Sequence, residues 1–164
     1  MDVYMHRYTS PLGDMCMLSD GELLTGLFFE DSSVMRVPAG ARREHLPVFD
    51  MTSRWLDTYF DGKIPDFTPP YVLIGTVFQR LTWEIVLTIP YGSTMTYGEV
   101  AKRFCRPMSA QAVGTAVGLD PICLIVPCHR VVAADGIGGY SGGTYRKAEL
   151  LILEGNTQLA SYIH

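Results

Sequence analysis

Apolar and polar residues alternate in short runs over the first thirty positions, a pattern typical of β-strands with one buried face. Two turn sequences, at residues 10–13 and 20–21, separate these runs. The pattern predicts strands over residues 3–9, 14–19 and 22–29. The charged stretch at residues 30–45 has no such period, and we predict an irregular, mobile loop there.

A helical period replaces the alternation after residue 46. The apolar positions that share one helix face are Val48, Met51, Trp55, Leu56 and Tyr59. Pro47 suits a first helical turn and Gly62 lies just beyond the last, so we predict a helix over residues 47–60. A linker-like stretch follows, punctuated by Pro65, Pro69 and Pro70. We therefore predict two domains, residues 1–73 and 74–164.

Helix-start signals dominate the second half. Thr76 and Thr96 are each followed three residues later by a partner, Gln79 or Glu99, that completes a capping box. Ser109 is the natural N-cap of a further helix over residues 109–117. The helix from Thr96 to about residue 104 and the next one, joined by a short turn, suggest a helix-turn-helix. The predicted fold class is α+β, with strands first and a mainly helical second domain.

The second helix of this pair is built from small residues: Ala110, Ala112, Gly114, Ala116 and Gly118. Side chains of this size let a helix backbone come close to whatever it touches. The contact is either another helix of the same domain or a ligand, and the pattern alone leaves both interpretations open.

Composition describes an ordinary globular chain, with 164 residues of which 48% are hydrophobic and 18% charged. The longest apolar run, at residues 122–126, is too short to span a membrane. The first residues lack the features of a signal peptide, so we expect a cytoplasmic protein with no membrane partner. The cysteines are then expected to be reduced: Cys16, Cys105, Cys123 and Cys128. None has CxxC spacing, and we predict no metal site.

Charge is distributed unevenly. The first 73 residues hold 6 Lys and Arg against 11 Asp and Glu, a net charge of −5, and the remaining 91 hold 7 against 6, a net charge of +1. Basic residues cluster at 102–106 and 146–147. Such clusters suit phosphate binding, although they are also common on solvated surfaces.

The motif Pro127-Cys128-His129-Arg130 carries the candidate chemistry. A cysteine next to a base can act as a nucleophile, because the thiolate is the reactive species. A buried core cysteine is the alternative. Neighbouring side chains point opposite ways in an extended segment, so His129 would reach Cys128 only through a water or a local bend.

A glycine-rich loop lies downstream at residues 138–143 and lacks the Gly-Lys-Ser/Thr of a phosphate-binding loop. It would either close over a pocket or merely connect two elements. A leucine-rich helix is predicted from Thr144, with Gly155 beyond its C-terminus. Glu154 at its end is either a solvated acid or, if it faces inward, the group that orients His129.

These motifs together resemble the O6-alkylguanine-DNA alkyltransferase family. The resemblance is carried by the Pro-Cys-His-Arg motif, by the loop at 139–143 and by the Leu-Leu-x-x-Glu-Gly ending at residues 150–155. It covers the second half and extends more faintly to residues 8–13 and 26–29. It implies a ribonuclease-H-like first domain, a winged-helix-like second domain and single-turnover DNA repair without a cofactor.

The resemblance also assigns roles. Cys128 would accept the alkyl group, His129 would act through a water as base with Glu154 orienting it, and Tyr97 would hydrogen-bond guanine N3. The residues implied to surround the substrate are Ser141 as donor to O6, Val131 through its carbonyl together with that of Cys128, Arg130 as a brace, and the loop residues Tyr140 and Gly142.

The partner implied is double-stranded DNA carrying an alkylated guanine, bound through its minor groove by a monomer. The residues implied to contact it are Ser109, Ala110, Gln111 and Gly114. Three positions depart from the family pattern: Gln111 and Gly118 stand where arginines are usual, and Asp120 stands for an asparagine. Losing a base-level arginine contact would weaken DNA binding by about 1–3 kcal/mol.

Two other functions remain as alternatives. A lesion sensor that binds alkylguanine without reacting would suit the uncharged helix, although it would not need Cys128. A cysteine hydrolase built on Cys128 and His129 would need an acyl-binding motif, which the sequence does not display.

Overall fold

The computed structural model describes residues 2–158, which form an N-terminal sheet domain and a C-terminal helical domain. Strands β1 (Tyr4–Ser10), β2 (Gly13–Ser19) and β3 (Leu24–Phe29) form an antiparallel meander. The three predicted strands are confirmed to within two residues at each end. A short strand, β4 (Arg42–Arg43), pairs parallel with β1, so the predicted loop is not wholly irregular. Two exposed arginines give no strand signal, which is why the sequence did not reveal it.

Helix α1 (Pro47–Phe60) has the predicted bounds and packs on the first domain's sheet. Proline occupies its first turn, where its missing N–H costs no hydrogen bond. The buried residues of the helix are Val48, Phe49, Thr52, Trp55, Leu56 and Tyr59. Met51, which the period placed on the inner face, is only partly buried.

The second domain begins with α2 (Val77–Val86) and α3 (Tyr97–Ala101), and both predicted capping boxes are formed. Helix α4 (Ala110–Gly118) starts at Ser109, whose hydroxyl accepts a hydrogen bond from the Ala112 amide at 3.0 Å. Helix α3 is shorter than predicted. The chain leaves it after Ala101, and Phe104 stacks on Phe78 of α2 with ring centroids 5.2 Å apart.

Two further elements position the candidate site. Strand β5 (Met95–Thr96) pairs parallel with β6 (Val131–Val132), which places the start of α3 beside the segment after Cys128. Helix α5 (Thr144–Leu153) follows the glycine-rich loop and ends at Glu154, with Gly155 at φ 108° as the predicted C-terminal glycine. Among residues 2–158, no helix is both long and apolar enough to cross a membrane.

The two domains share one continuous hydrophobic core. The loop before Cys128 runs beside β3. Leu27 donates from its amide to the Pro121 carbonyl, and its own carbonyl accepts from the Cys123 amide, both at 2.8 Å. The N-terminal sheet thus holds the backbone of the segment that leads to the candidate nucleophile.

Candidate functional site

Cys128 lies at the start of a single 3-10 turn, Cys128–Arg130, and only 3% of its surface is exposed. The chain is bent rather than extended at this point, because the Arg130 amide bonds back to the Pro127 carbonyl at 2.9 Å. The local bend that the sequence allowed for is therefore present. His129, the next residue, is completely buried.

Glu154 is the centre of a polar cluster behind the cysteine, and it is buried rather than solvated. Its Oε2 lies 2.7 Å from Nε2 of His129 and accepts a hydrogen bond of 2.5 Å from the Tyr59 hydroxyl. Arg130 donates hydrogen bonds to both carboxylate oxygens, from Nε to Oε1 at 2.7 Å and from Nη2 to Oε2 at 3.1 Å. The Gly92 amide completes the set at 3.3 Å. The sequence left open whether Glu154 is a solvated acid or faces inward toward His129. In the structure it faces inward and contacts His129.

The protonation states follow from burial and charge. Burial lowers the pKa of His129, and although Glu154 opposes this effect, the net shift is downward. Burial would raise the pKa of Glu154, but hydrogen bonds and charges of His129 and Arg130 hold it well below its usual range. Because the histidine stays neutral, we attribute the ionised state of Glu154 mainly to Arg130.

This network also fixes the histidine tautomer. A carboxylate only accepts hydrogen bonds, so the Nε2 atom facing Glu154 must carry the hydrogen of the neutral ring. The lone pair then lies on Nδ1, which is buried and has no hydrogen-bond partner among the described residues. His129 therefore holds an unused basic nitrogen in the protein interior.

Cys128 is a thiol at rest. The hydrogen bond that the Cys128 thiol donates to Cys123, together with burial and the charge of Asp120, raises its pKa well above the ordinary value. Burial in turn raises the pKa of Asp120 to about 7. The nearby Lys147 ammonium favours the thiolate, but the net shift of the Cys128 pKa is upward, so a base must remove the proton as the sulfur reacts.

A cleft of about 220 Å³ lies between α4 and the glycine-rich loop, and Cys128 is not part of its lining. Its lining residues are Ser33, Val34, Tyr97, Gly114, Val117, Gly118, Gly139, Tyr140 and Ser141. Four predicted site residues, Tyr97, Gly114, Tyr140 and Ser141, are thus brought together around it. Burial raises the pKa of both Tyr97 and Tyr140, and Cys128 adds to this effect, so its sulfur lies within electrostatic range of both phenols.

Lys147 links the glycine-rich loop to strand β6 through hydrogen bonds. Its ammonium donates to the carbonyls of Val131 at 2.6 Å and Gly139 at 2.9 Å, and it lies 5.7 Å from the centre of the Tyr97 ring. Burial lowers its pKa to about 8. The Val131 carbonyl, predicted to accept from the substrate, therefore already has one partner, and its second lone pair is left for another.

The other predicted substrate residues lie away from the cleft. Arg130 is held at Glu154 and by the Ile89 carbonyl at 2.8 Å, in agreement with a bracing role. Gly142 packs against Tyr140 and Phe29 so closely that a Cβ would lie 2.8–2.9 Å from their rings. Because Gly142 has no side chain, the loop can lie directly against the sheet domain.

The predicted DNA-contacting residues form the outer face of α4. Ser109, Ala110 and Gln111 are exposed, and Gly114 lies between that face and the ring of Tyr97. No charged residue occurs on the helix itself. Nearby positive charge comes instead from exposed Lys102 and Arg103, just after α3.

Three participants were missed in the sequence. Tyr59 was placed in the core because of its helical period, and its hydroxyl contacts a group 95 residues away. Lys147 was counted with the basic surface residues, yet it is fully buried. Cys123 was counted only among the reduced cysteines, although its sulfur lies within 4.8 Å of that of Cys128. No local pattern could have revealed these contacts, since each depends on the folded arrangement.

Two family models match the chain. The ribonuclease-like domain of 6-O-methylguanine DNA methyltransferase matches residues 3–71, and the DNA-binding domain of the same family matches residues 77–156. A methylated-DNA–protein-cysteine methyltransferase of Mycobacterium leprae is 39% identical over 160 residues, covering 97% of this chain and 96% of the relative. One of Haemophilus influenzae is also 39% identical, covering 93% and 86%.

Solved structures have the same fold. Mycobacterium tuberculosis O6-methylguanine methyltransferase has a TM-score of 0.83 at 38% identity, covering 93% of this chain and 92% of that one. Mycobacterium tuberculosis OGT in complex with DNA has a TM-score of 0.84 at 37% identity, covering 94% and 93%.

The two matched models describe a class of protein that joins a ribonuclease-like domain to a DNA-binding domain, and relatives of this class are named as methyltransferases from methylated DNA to a protein cysteine. The family models, which together span nearly all of the described residues, show that this chain belongs to the 6-O-methylguanine DNA methyltransferase family. The two-domain fold and the family activity predicted from the sequence, DNA repair by alkyl transfer, are thereby confirmed.

Proposed function

We propose that Cys128 is the acceptor of the alkyl group and that O6-alkylguanine is the substrate. The observation that carries this proposal is the buried thiol flanked by the His129–Glu154 pair and lying behind the cleft between Tyr97 and Ser141. A neutral imidazole with a free Nδ1 is the base that such a thiol requires.

The reaction forms a carbon–sulfur bond as the carbon–O6 bond breaks. Sγ of Cys128 attacks the alkyl carbon in line with O6, and the electron pair of the broken bond stays with guanine. The thiol proton passes to Nδ1 of His129 through a water, and in the net reaction one proton moves from Cys128 to guanine. Tyr97 donates to N3 and Ser141 to O6, which offsets the charge that develops on the base.

The product is a thioether, which has no acidic proton and no low-energy leaving group. The sulfur therefore cannot be regenerated by hydrolysis, and each molecule repairs one lesion. This stoichiometry separates the proposal from a cysteine hydrolase, whose acyl intermediate would turn over.

DNA reaches the site through the helix-turn-helix. The reacting carbon is inaccessible within a stacked duplex, so the damaged nucleotide must rotate out into the cleft. We place the minor groove against α4, with Ser109, Ala110 and Gln111 on its exposed face and Gly114 at the cleft. A monomer suffices, because both domains of one chain complete the site.

The test is to incubate the protein with duplex DNA containing O6-methylguanine and to weigh the peptide that holds Cys128. We expect one methyl group on that peptide per protein molecule. A Cys128→Ser variant should gain none, and a Cys105→Ser variant, which alters an exposed cysteine, should react normally. Tight binding without any methyl gain would instead identify a lesion sensor and overturn the proposal.

A further inference from the structure

Three potential metal ligands meet beneath the cleft. A carboxylate oxygen of Asp120 and the sulfurs of Cys123 and Cys128 all lie within 4.8 Å of one another. All three residues are almost completely buried, with exposures of 1%, 1% and 3%. They come from one loop of nine residues, and the CxxC rule applied to the sequence does not cover this spacing.

The loop backbone holds the three groups together. The Ile125 amide bonds to the Cys123 carbonyl at 2.9 Å, and the Cys128 amide bonds to the Val126 carbonyl at 2.8 Å. Leu124 adopts φ 73°, which is rare for a side chain of its kind. This tight bend returns the chain so that the two cysteines, five positions apart, face one another.

Two polar atoms of this region have no hydrogen-bond partner among residues 2–158. Oδ1 of Asp120 accepts from the Ile122 amide at 2.9 Å, whereas Oδ2 is buried and has no partner with hydrogen-bond geometry, although the nearby Cys128 thiol opposes the rise that burial causes in the pKa of Asp120. The Tyr140 hydroxyl is likewise buried and unpaired, and charges on Asp120 and both cysteines act on it. Buried oxygens without a hydrogen-bond partner destabilise the folded state, and a bound ligand that accepts their lone pairs would remove this penalty.

We propose that Asp120, Cys123 and Cys128 form a binding site for a thiophilic divalent cation, with Zn²⁺ the best match. Two thiolates and a carboxylate are a normal zinc donor set, and tetrahedral geometry would place the donors about 3.3–3.8 Å apart. The ligand atoms now lie within 4.8 Å of one another, so binding would draw them closer together. The fourth position is open to water or to the hydroxyl of Tyr140.

Binding exchanges protons for the metal. Each thiol loses its proton to solvent as a metal–sulfur bond forms, and the protonated fraction of Asp120, whose pKa burial raises to about 7, loses its proton as well. The bound cation takes one of the lone pairs of the Cys128 sulfur, lowers its electron density and holds it toward Asp120 and Cys123, so that attack on an alkyl carbon becomes slower. Conversely, an alkylated Cys128 is a neutral thioether and a poor zinc ligand. Cation binding therefore opposes alkyl transfer, a consequence that rests on the proposed function, whereas the site itself does not.

The experiment uses Co²⁺ as a spectroscopic probe, in a phosphine reductant that keeps the cysteines as thiols. The intact chain should bind one equivalent and develop sulfur-to-cobalt charge-transfer bands, which Zn²⁺ then displaces. Cys123→Ser and Asp120→Asn should each weaken Co²⁺ binding by about tenfold or more, because even substitutions of residues that only contact the ligands lower metal affinity by that factor. Cys105→Ser and Cys16→Ser, which remove an exposed and a buried cysteine elsewhere, should bind as the parent does.

A parent protein that develops no charge-transfer bands would overturn the proposal, as would Cys123→Ser and Asp120→Asn variants that bind Co²⁺ unchanged. A parallel assay measures methylation of Cys128 with and without Zn²⁺. Zinc should suppress it in the parent, and the ratio of the two rates should move towards one in Cys123→Ser. If the parent binds Co²⁺ but never accepts a methyl group, the proposed function fails and the metal site stands.

Discussion

The hydroxyl of Tyr59 donates a 2.5 Å hydrogen bond to Oε2 of Glu154, which joins a helix of the first domain to the carboxylate that holds His129. The two residues are 95 positions apart. His129, the proposed base, is thus held in place partly by the first domain.

Tyr59→Phe removes this contact while keeping the ring in its stack on Trp55. We expect the single-turnover rate of methyl transfer to fall about tenfold, since a hydrogen bond to a charged group contributes roughly 1.5–3 kcal/mol. Tyr8→Phe is the matched control, because it removes an exposed hydrogen bond to Asp57 in the same domain. Equal rates for parent and Tyr59→Phe would show that the contact is only structural.

Removing the Glu154 carboxylate should reduce the stability of the fold. Glu154→Gln leaves the Arg130 guanidinium without its counter-charge in a mostly buried position. We expect the free energy of unfolding to drop by about 3–5 kcal/mol. Adding Arg130→Met to it should restore part of the loss, because no unpaired charge then remains. Denaturant titrations of the single and double variants measure this, and strictly additive losses would contradict the interpretation.

Helix α4 should bind DNA more tightly when its charge is increased. We expect Gln111→Arg to strengthen duplex binding by about 1–3 kcal/mol, through a guanidinium that can stack and hydrogen-bond in the groove. Gln111→Lys adds the same charge without the planar group and should gain less. Fluorescence anisotropy at fixed salt measures both variants. An arginine variant that binds no better than the parent would show that this position does not contact DNA.

Lys147 should control the order of the glycine-rich loop. In Lys147→Met the carbonyls of Val131 and Gly139 lose their shared donor. We expect amide exchange over residues 138–143 to speed up, and methyl transfer to slow by about tenfold, since each charged hydrogen bond contributes roughly 1.5–3 kcal/mol. Lys63→Met, which alters an exposed lysine of the first domain, serves as the control. Unchanged exchange would mean that other contacts hold the loop.

The elements with local signals could be predicted from the sequence. Three helices begin at N-cap residues that the sequence identifies: Thr76, Thr96 and Ser109. Each of these side chains accepts a hydrogen bond from the backbone amide three positions later. The end of α3 was predicted less well, because it depends on Phe104 packing against α2.

The parts of the site that the sequence did not reveal are long-range contacts between ordinary-looking residues. Tyr59 resembled any other core tyrosine, and Lys147 resembled a surface cation. The grouping of Asp120 with two cysteines depends on the backbone bend at Leu124, which no residue preference predicts. Motifs predicted which groups react, and that assignment stays a prediction, whereas only the fold shows what surrounds them.

The pairing of Leu27 with the loop at residues 121–123 has a consequence for how distant sequences are compared. A protein could carry every motif of the second half and still lack the edge against which that loop is aligned. Its sulfur would then have the right neighbours in the sequence but no fixed position in space. Inheritance of the activity should therefore be judged on both halves together, with β3 given the same weight as the motif around Cys128.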